Sequence, residues 1–337
     1  MNQPMSDKLL KYFLILFIAT TLYGCGNPQE QKLLIFSKTA GYHHNSIDAG
    51  MAAIAKLAGE NDIKIDTTTD AGYFTEANLA QYSAVIFLST TGDVLDHYQQ
   101  ADFERYIQAG GGFVGIHAAA DTEYEWPWYN QLVGAYFLSH PHQQKAKISI
   151  LDRDHPSTEG LPDTWEHFDE WYNYRNIADG INVLMNLEES SYEGGQNGDN
   201  HPIAWYREFD GGRMFYTGLG HTDEAYADEL FLKHVWGGIE YAIGNNKRDY
   251  GKATSEKVPE ENRFVREVLA FNLNEPMELD YLPKEKILFI ERGGDLKLYD
   301  LIAGELLNAG HLDVKYIAED GLLGLAVDPD YATNNWI

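Results

Sequence analysis

Histidine is the side chain that titrates near neutrality, so it can move protons, stabilise an oxyanion or ligate a metal. In this chain histidines gather where a strand-like stretch gives way to a loop. His43 and His44 lie in Thr39-Ala40-Gly41-Tyr42-His43-His44-Asn45-Ser46. His140 and His142 flank Pro141, and His221 sits in Gly218-Leu219-Gly220-His221-Thr222-Asp223. The sharpest setting is Gly110-Gly111-Gly112-Phe113-Val114-Gly115-Ile116-His117-Ala118-Ala119-Ala120-Asp121. A glycine run closes a helix, a short apolar strand follows, and small residues flank one histidine. Such a turn holds a functional side chain up at a strand's C-terminal end, where ligands sit in open α/β sheets. Nucleophile elbows carry Ser or Cys at this point; here it is His117.

These residues suggest a division of labour. His117 serves as acid–base or electrophile, assisted by His221, with Asp223 as its orienting carboxylate and His43 or His44 opposite. Thiolate chemistry is excluded, because the single cysteine, Cys25, lies in the N-terminal segment. A divalent metal is an alternative occupant, since His43, His117, His221 and Glu170 or Asp121 offer the mixed N/O donors that zinc accepts. No HExxH motif encodes such a site, and Pro141 breaks the His140–His142 pair. Two acidic-aromatic runs, Asp121 to Tyr129 and Glu166 to Tyr174, suit a sugar. Aromatic faces such as Tyr42, Trp126 and Trp171 can stack on sugar C–H surfaces, while Asp121 and Glu170 accept hydroxyl hydrogen bonds. The competing reading is that these aromatics pack a core or a subunit interface, as expected for Trp205 and Trp236.

The elements that position these residues follow from patterning. Strands are expected at Lys32 to Ser37, Ile63 to Thr67 and Ala84 to Leu88, the last apolar throughout and so buried on both faces. Helices are expected from Ser46 to Gly59, briefly after Thr75, and from Gln99 to Ala109. This alternation implies a mostly parallel sheet with helices on both faces. Further strands fall at Lys145 to Leu151, Val183 to Leu187, Ile203 to Phe209 and Arg213 to Thr217, and a helix at Asp228 to Ile243. Residues 247–262 are charged and read as a linker. Beyond it, Lys286 to Arg292 and Leu296 to Asp300 form a hairpin across Gly293-Gly294-Asp295, the start of an all-β region over residues 263–337. A few hairpins cannot easily bury a core, so this region is expected to be truncated.

The N-terminus carries a separate signal. Lys8 and Lys11 precede an apolar run too short to span a membrane, and a cleavage zone follows. Residues 1–25 are therefore expected to be an export leader and 26–31 a polar spacer. With one cysteine, intramolecular disulfides and CxxC metal sites are excluded. A formal net charge of −27 argues against nucleic acid and anionic lipid as partners.

Four resemblances complete the reading. Leu22-Tyr23-Gly24-Cys25 resembles a bacterial lipobox, which implies lipidation of Cys25 and a membrane contact through that anchor only. The elbow at Gly115-Ile116-His117 and the late His221-Thr222-Asp223 resemble the flavodoxin-like fold of class I glutamine amidotransferases, without the cysteine that a glutaminase needs. Gly41-Tyr42-His43-His44-Asn45-Ser46-Ile47, Gly111 to His117, Asp169-Glu170-Trp171-Tyr172 and Gly218-Leu219-Gly220-His221 resemble the trehalose-utilisation (ThuA-like) family over residues 32–246. That family implies carbohydrate metabolism. Glu319-Asp320-Gly321-Leu322-Leu323-Gly324-Leu325 resembles the opening of the glucose/sorbosone dehydrogenase β-propellers, which oxidise sugars with pyrroloquinoline quinone. The catalytic and cofactor residues of that family lie beyond this segment, so quinone chemistry is expected only with a complete propeller. The expectation is an exported lipoprotein that binds and modifies a sugar or keto-sugar. The alternatives are a carbohydrate-binding domain serving a fused dehydrogenase, and a metal-dependent sugar isomerase or hydrolase.

Overall fold

The computed structural model describes residues 30–256 and 265–337. The export leader and Cys25 lie outside the described residues. Two compact units divide near residue 260.

The first unit is built on a nine-stranded sheet. Its parallel half comprises β1 (Lys32–Phe36), β2 (Lys64–Thr68), β3 (Ala84–Leu88), β4 (Gly112–Ile116) and β11 (Gly212–Thr217), in the order β2-β1-β3-β4-β11. The antiparallel half continues through β10 (Pro202–Phe209), β9 (Asn182–Leu187), β6 (Gln144–Ile150) and β7 (Thr164–Asp169). A separate ribbon pairs β5 (Tyr136–Ser139) with β8 (Asn173–Arg175). Every residue of β3 is fully buried, as its apolar run requires, and each large side chain there contributes about 1.5–3 kcal/mol.

Local sequence sets the helix ends. Helix α1 (Ile47–Glu60) turns Ile47, Gly50, Ile54 and Ala58 to the core. Thr75 caps α2 (Glu76–Leu79) through its side chain. Helix α3 (His97–Gln108) starts two residues earlier than expected, because Asp96 and Gln99 form a reciprocal capping box. After α4 (Pro127–Val133), the chain crosses the antiparallel strands and returns through α5 (Glu229–Ile243), capped by Asp228. Among the described residues, no helix is long and apolar enough to cross a membrane.

The stretch read as a linker begins with a segment docked on this unit. Asp249 N donates to Ala109 O at 2.7 Å, and the Thr254 and Ser255 amides donate to Gln108 Oε1.

The second unit is a four-stranded antiparallel meander of β12 (Pro276–Leu282), β13 (Lys286–Glu291), β14 (Asp295–Asp300) and β15 (Glu305–His311). Gly294 supplies the positive φ, +106°, that the β13–β14 turn requires. The Glu319 to Asp330 segment runs beside β12, with Leu325 N donating to Glu278 Oε2 and Val327 N to Asp280 Oδ2.

Two histidines in the core of the first unit contribute to its acid sensitivity. Burial pushes His155 and His234 down to about 4 from an ordinary value of 6.5. The unfolded chain protonates them below 6.5 while the folded chain holds them neutral, so stability falls as pH drops from 6.5 towards 4. Each costs up to about 3 kcal/mol over that window. Urea unfolding across this range should therefore show a shallower pH slope for His234→Gln than for the parent. Equal slopes would contradict the assignment.

Candidate functional site

Strands β1, β4 and β11 run parallel, so the loops after them emerge at one edge of the sheet. The loop after β1 brings His44, the turn after β4 brings His117, and the loop after β11 brings His221. Glu170 follows β7 directly. One donor atom from each of His44, His117, Glu170 and His221 lies within 4.8 Å of the other three.

His117 is fully buried and has φ +51°, a left-handed conformation that a non-glycine residue adopts at a cost. Its neighbours permit this. Tyr216 Oη donates to the His117 carbonyl at 2.7 Å, and Gly115 packs where a Cβ would press on the Tyr216 ring. His117 Nδ1 lies 2.9 Å from the Gly218 carbonyl. A carbonyl only accepts, so Nδ1 carries a proton and, in the neutral ring, Nε2 presents a lone pair to the site. Nε2 is 3.1 Å from His221 Nδ1 and 3.6 Å from Glu170 Oε2. The Tyr172 ring lies against the imidazole, with centroids 4.3 Å apart.

Glu170 is the charge at the centre. Burial would raise its carboxyl, but the neighbouring imidazoles of His117 and His221 hold it well below the usual carboxylate range. Its Oε2 is 3.2 Å from His221 Nδ1, and its Oε1 is 3.2 Å from His140 Nδ1. Burial would lower His221, yet the hydrogen bond and charge of Glu170 raise it above the ordinary histidine value. His44 shows the opposite balance. Burial first, then the charges of His117 and His221, push it down to about 3. The His44 ring stands edge-on to both other imidazoles, and its buried Nδ1 has no hydrogen-bond partner.

The adjoining Asp169 positions this group. It is fully buried and accepts from the Gly220 and His221 amides at 2.8 and 3.0 Å. Ser46 Oγ donates to the Gly220 carbonyl, which ties the β1 and β11 loops together.

The structure sorts the expected residues. His117, His221, His44 and Glu170 come together. His43 points elsewhere: it is exposed, with Nδ1 3.3 Å from Thr39 Oγ1. Asp223 is also exposed, and the carboxylate against His221 is Glu170. Trp126 and Trp171 are buried and spend their N–H groups on Glu104 and the Gln144 carbonyl, so neither offers a face for stacking. Tyr42 is exposed beside His44. Asp121 is partly buried and accepts from Tyr124 Oη; burial raises its carboxyl, with Tyr124 and His117 opposing. Missing from the expected set are Asp169, His140, Tyr172 and the Gly218 carbonyl. A depression of about 800 Å³ lies at the opposite sheet end, beside Gly110, Asp210 and Arg213, far from these histidines in the topology.

Chemically, the cluster can move protons between an imidazole and a carboxylate, or hold a divalent cation through three nitrogens and one oxygen.

A mixed sheet whose parallel half carries His117 at the turn after β4 defines an α/β domain with a histidine-centred site. The chain belongs to the trehalose-utilisation (ThuA) family, whose pattern matches residues 32–242. Residues 273–337 match the glucose/sorbosone dehydrogenase family. The structure is similar to a ThuA-like protein from Bacteroides uniformis ATCC 8492, with 24% identity and a TM-score of 0.56. That match covers 65% of this chain and 95% of the other. A ThuA-like protein from Parabacteroides merdae ATCC 43184 is similar at 21% identity and a TM-score of 0.55, covering 69% of this chain and 94% of the other. A comparison with curated proteins finds no match.

Asp169→Ala should leave the buried Gly220 and His221 amides unpaired, at about 1–3 kcal/mol each. Hydrogen exchange at these two amides should accelerate relative to the β3 strand. Unchanged exchange at both would contradict the positioning role.

Proposed function

We propose that this protein is exported, anchored through a lipid on Cys25, and binds and chemically modifies a sugar or keto-sugar at the His117 site. The convergence of His44, His117, Glu170 and His221 at the C-terminal edge of the sheet carries this reading. Membership of a trehalose-utilisation family and a neighbouring sugar-dehydrogenase-like segment support a carbohydrate as the substrate class.

The residues suit polyhydroxyl chemistry. The His117 Nε2 lone pair and Glu170 can each accept a proton or hydrogen bond from a sugar hydroxyl. His221, raised by Glu170, can return a proton to a developing alkoxide or enolate oxygen. At the partly exposed rim, His140 and Asp121 offer further polar contacts, and Tyr42 offers an accessible ring. The fused dehydrogenase-like segment favours one second reading, a domain that binds a sugar without changing it.

Incubating the full chain with a panel of sugars and 3-keto sugars, and following products by NMR, separates the two. A new product whose rate falls by about 10²–10⁴-fold in His117→Ala and His221→Ala supports catalysis at this site. Saturable binding with unchanged sugar supports the binding domain. Equal binding and turnover in both variants and the parent would overturn the site assignment.

A further inference from the structure

We propose that His44, His117, Glu170 and His221 form a binding site for one divalent first-row transition cation. The sugar chemistry proposed above would use this cation, but its binding stands independently of that reading.

The spacing carries the argument. A tetrahedral cation with bonds of about 2.0–2.1 Å holds its ligand atoms about 3.3 Å apart. The three distances among His117 Nε2, His221 Nδ1 and Glu170 Oε2 are 3.1, 3.2 and 3.6 Å. The triangle is therefore already the size of one face of such a coordination sphere. A nitrogen of His44 is the fourth donor, within 4.8 Å of the rest.

Protonation fits as well. Coordination needs an unprotonated nitrogen, and the Gly218 carbonyl fixes the His117 proton on Nδ1, leaving Nε2 free. Glu170 is buried, with Oε1 held by His140. Asp169 holds the backbone of His221. Outer contacts of this kind orient the ligands in metal sites. A second, independent observation is the buried Nδ1 of His44, which finds no partner in the protein. A buried polar atom left so costs free energy that a ligand can recover.

The donor set narrows the cation. Three imidazoles and one carboxylate suit zinc, manganese, iron, cobalt or nickel, whereas magnesium and calcium prefer all-oxygen shells. Bound there, the cation would act as a Lewis acid toward a sugar oxygen or a water.

The full chain, purified without an affinity tag, is assayed for metals by elemental analysis. It is then stripped with chelator and titrated calorimetrically with zinc, manganese, cobalt, nickel and magnesium chlorides. The expected result is one equivalent of a transition cation, no saturable magnesium binding, and a visible cobalt(II) spectrum of a nitrogen-rich low-coordinate site. Glu170→Gln and His117→Gln should weaken binding by at least about 100-fold, while His43→Ala, outside the cluster, should leave it unchanged. If either cluster variant fails to fold by circular dichroism, the stoichiometry and cobalt spectrum of the parent decide. Substoichiometric metal with no saturable transition-metal binding overturns the proposal, as does binding lost equally in His43→Ala. Stoichiometric metal binding together with unchanged sugar conversion by the stripped protein upholds the site and removes the cation from the sugar chemistry. A stoichiometric cation without any sugar binding upholds the site and overturns the sugar function.

Discussion

The hydrogen bond from His117 Nδ1 to the Gly218 carbonyl constrains everything else at the site. It decides which nitrogen of a fully buried imidazole carries the proton, and therefore what Nε2 can do. The bond exists because β4 and β11 are adjacent parallel strands whose ends fall level, with Thr217 opposite Ile116. The strained turn at His117 is held by the same pair of strands, through Tyr216. A glycine-rich strand and a tyrosine two strand positions before Gly218 thus serve one purpose, aiming one lone pair.

The second constraint is charge. A buried carboxylate is costly unless it is paired and hydrogen-bonded. Glu170 meets that condition only because three loops deliver imidazoles to it, His117, His221 and His140. Asp169 is satisfied differently, by backbone amides of the β11 loop. Adjacent acids therefore take separate tasks, one facing the site and one fixing its frame. The chain as a whole carries a large negative charge, so this knot of imidazoles offers an acidic residue partners that the composition does not advertise.

The parallel half of the sheet was legible in the sequence because strands such as β3 are apolar on both faces and Thr75 announces a helix cap. Strand β7 was hidden because it points Trp165, His167 and Asp169 inward and leaves Phe168 outside, which inverts the usual pattern. His117, His221 and Glu170 were legible from small-residue loops and motif spacing. The choice between His43 and His44 was not, since adjacent residues in a loop diverge by the local backbone alone. Asp223 had the right spacing for an orienting carboxylate, yet an acid from a distant strand occupies that place. Trp126 and Trp171 have the composition of sugar platforms, but only tertiary packing shows that their rings are core.

Selective nitrogen-15 labelling of histidine, with long-range proton–nitrogen correlation on metal-free protein at mildly alkaline pH, reads the His117 tautomer directly. The account predicts a protonated Nδ1 and an unprotonated Nε2 for His117, assigned by its loss in His117→Gln. A His117 ring protonated at Nε2 would contradict it, because no lone pair would then face Glu170 and His221.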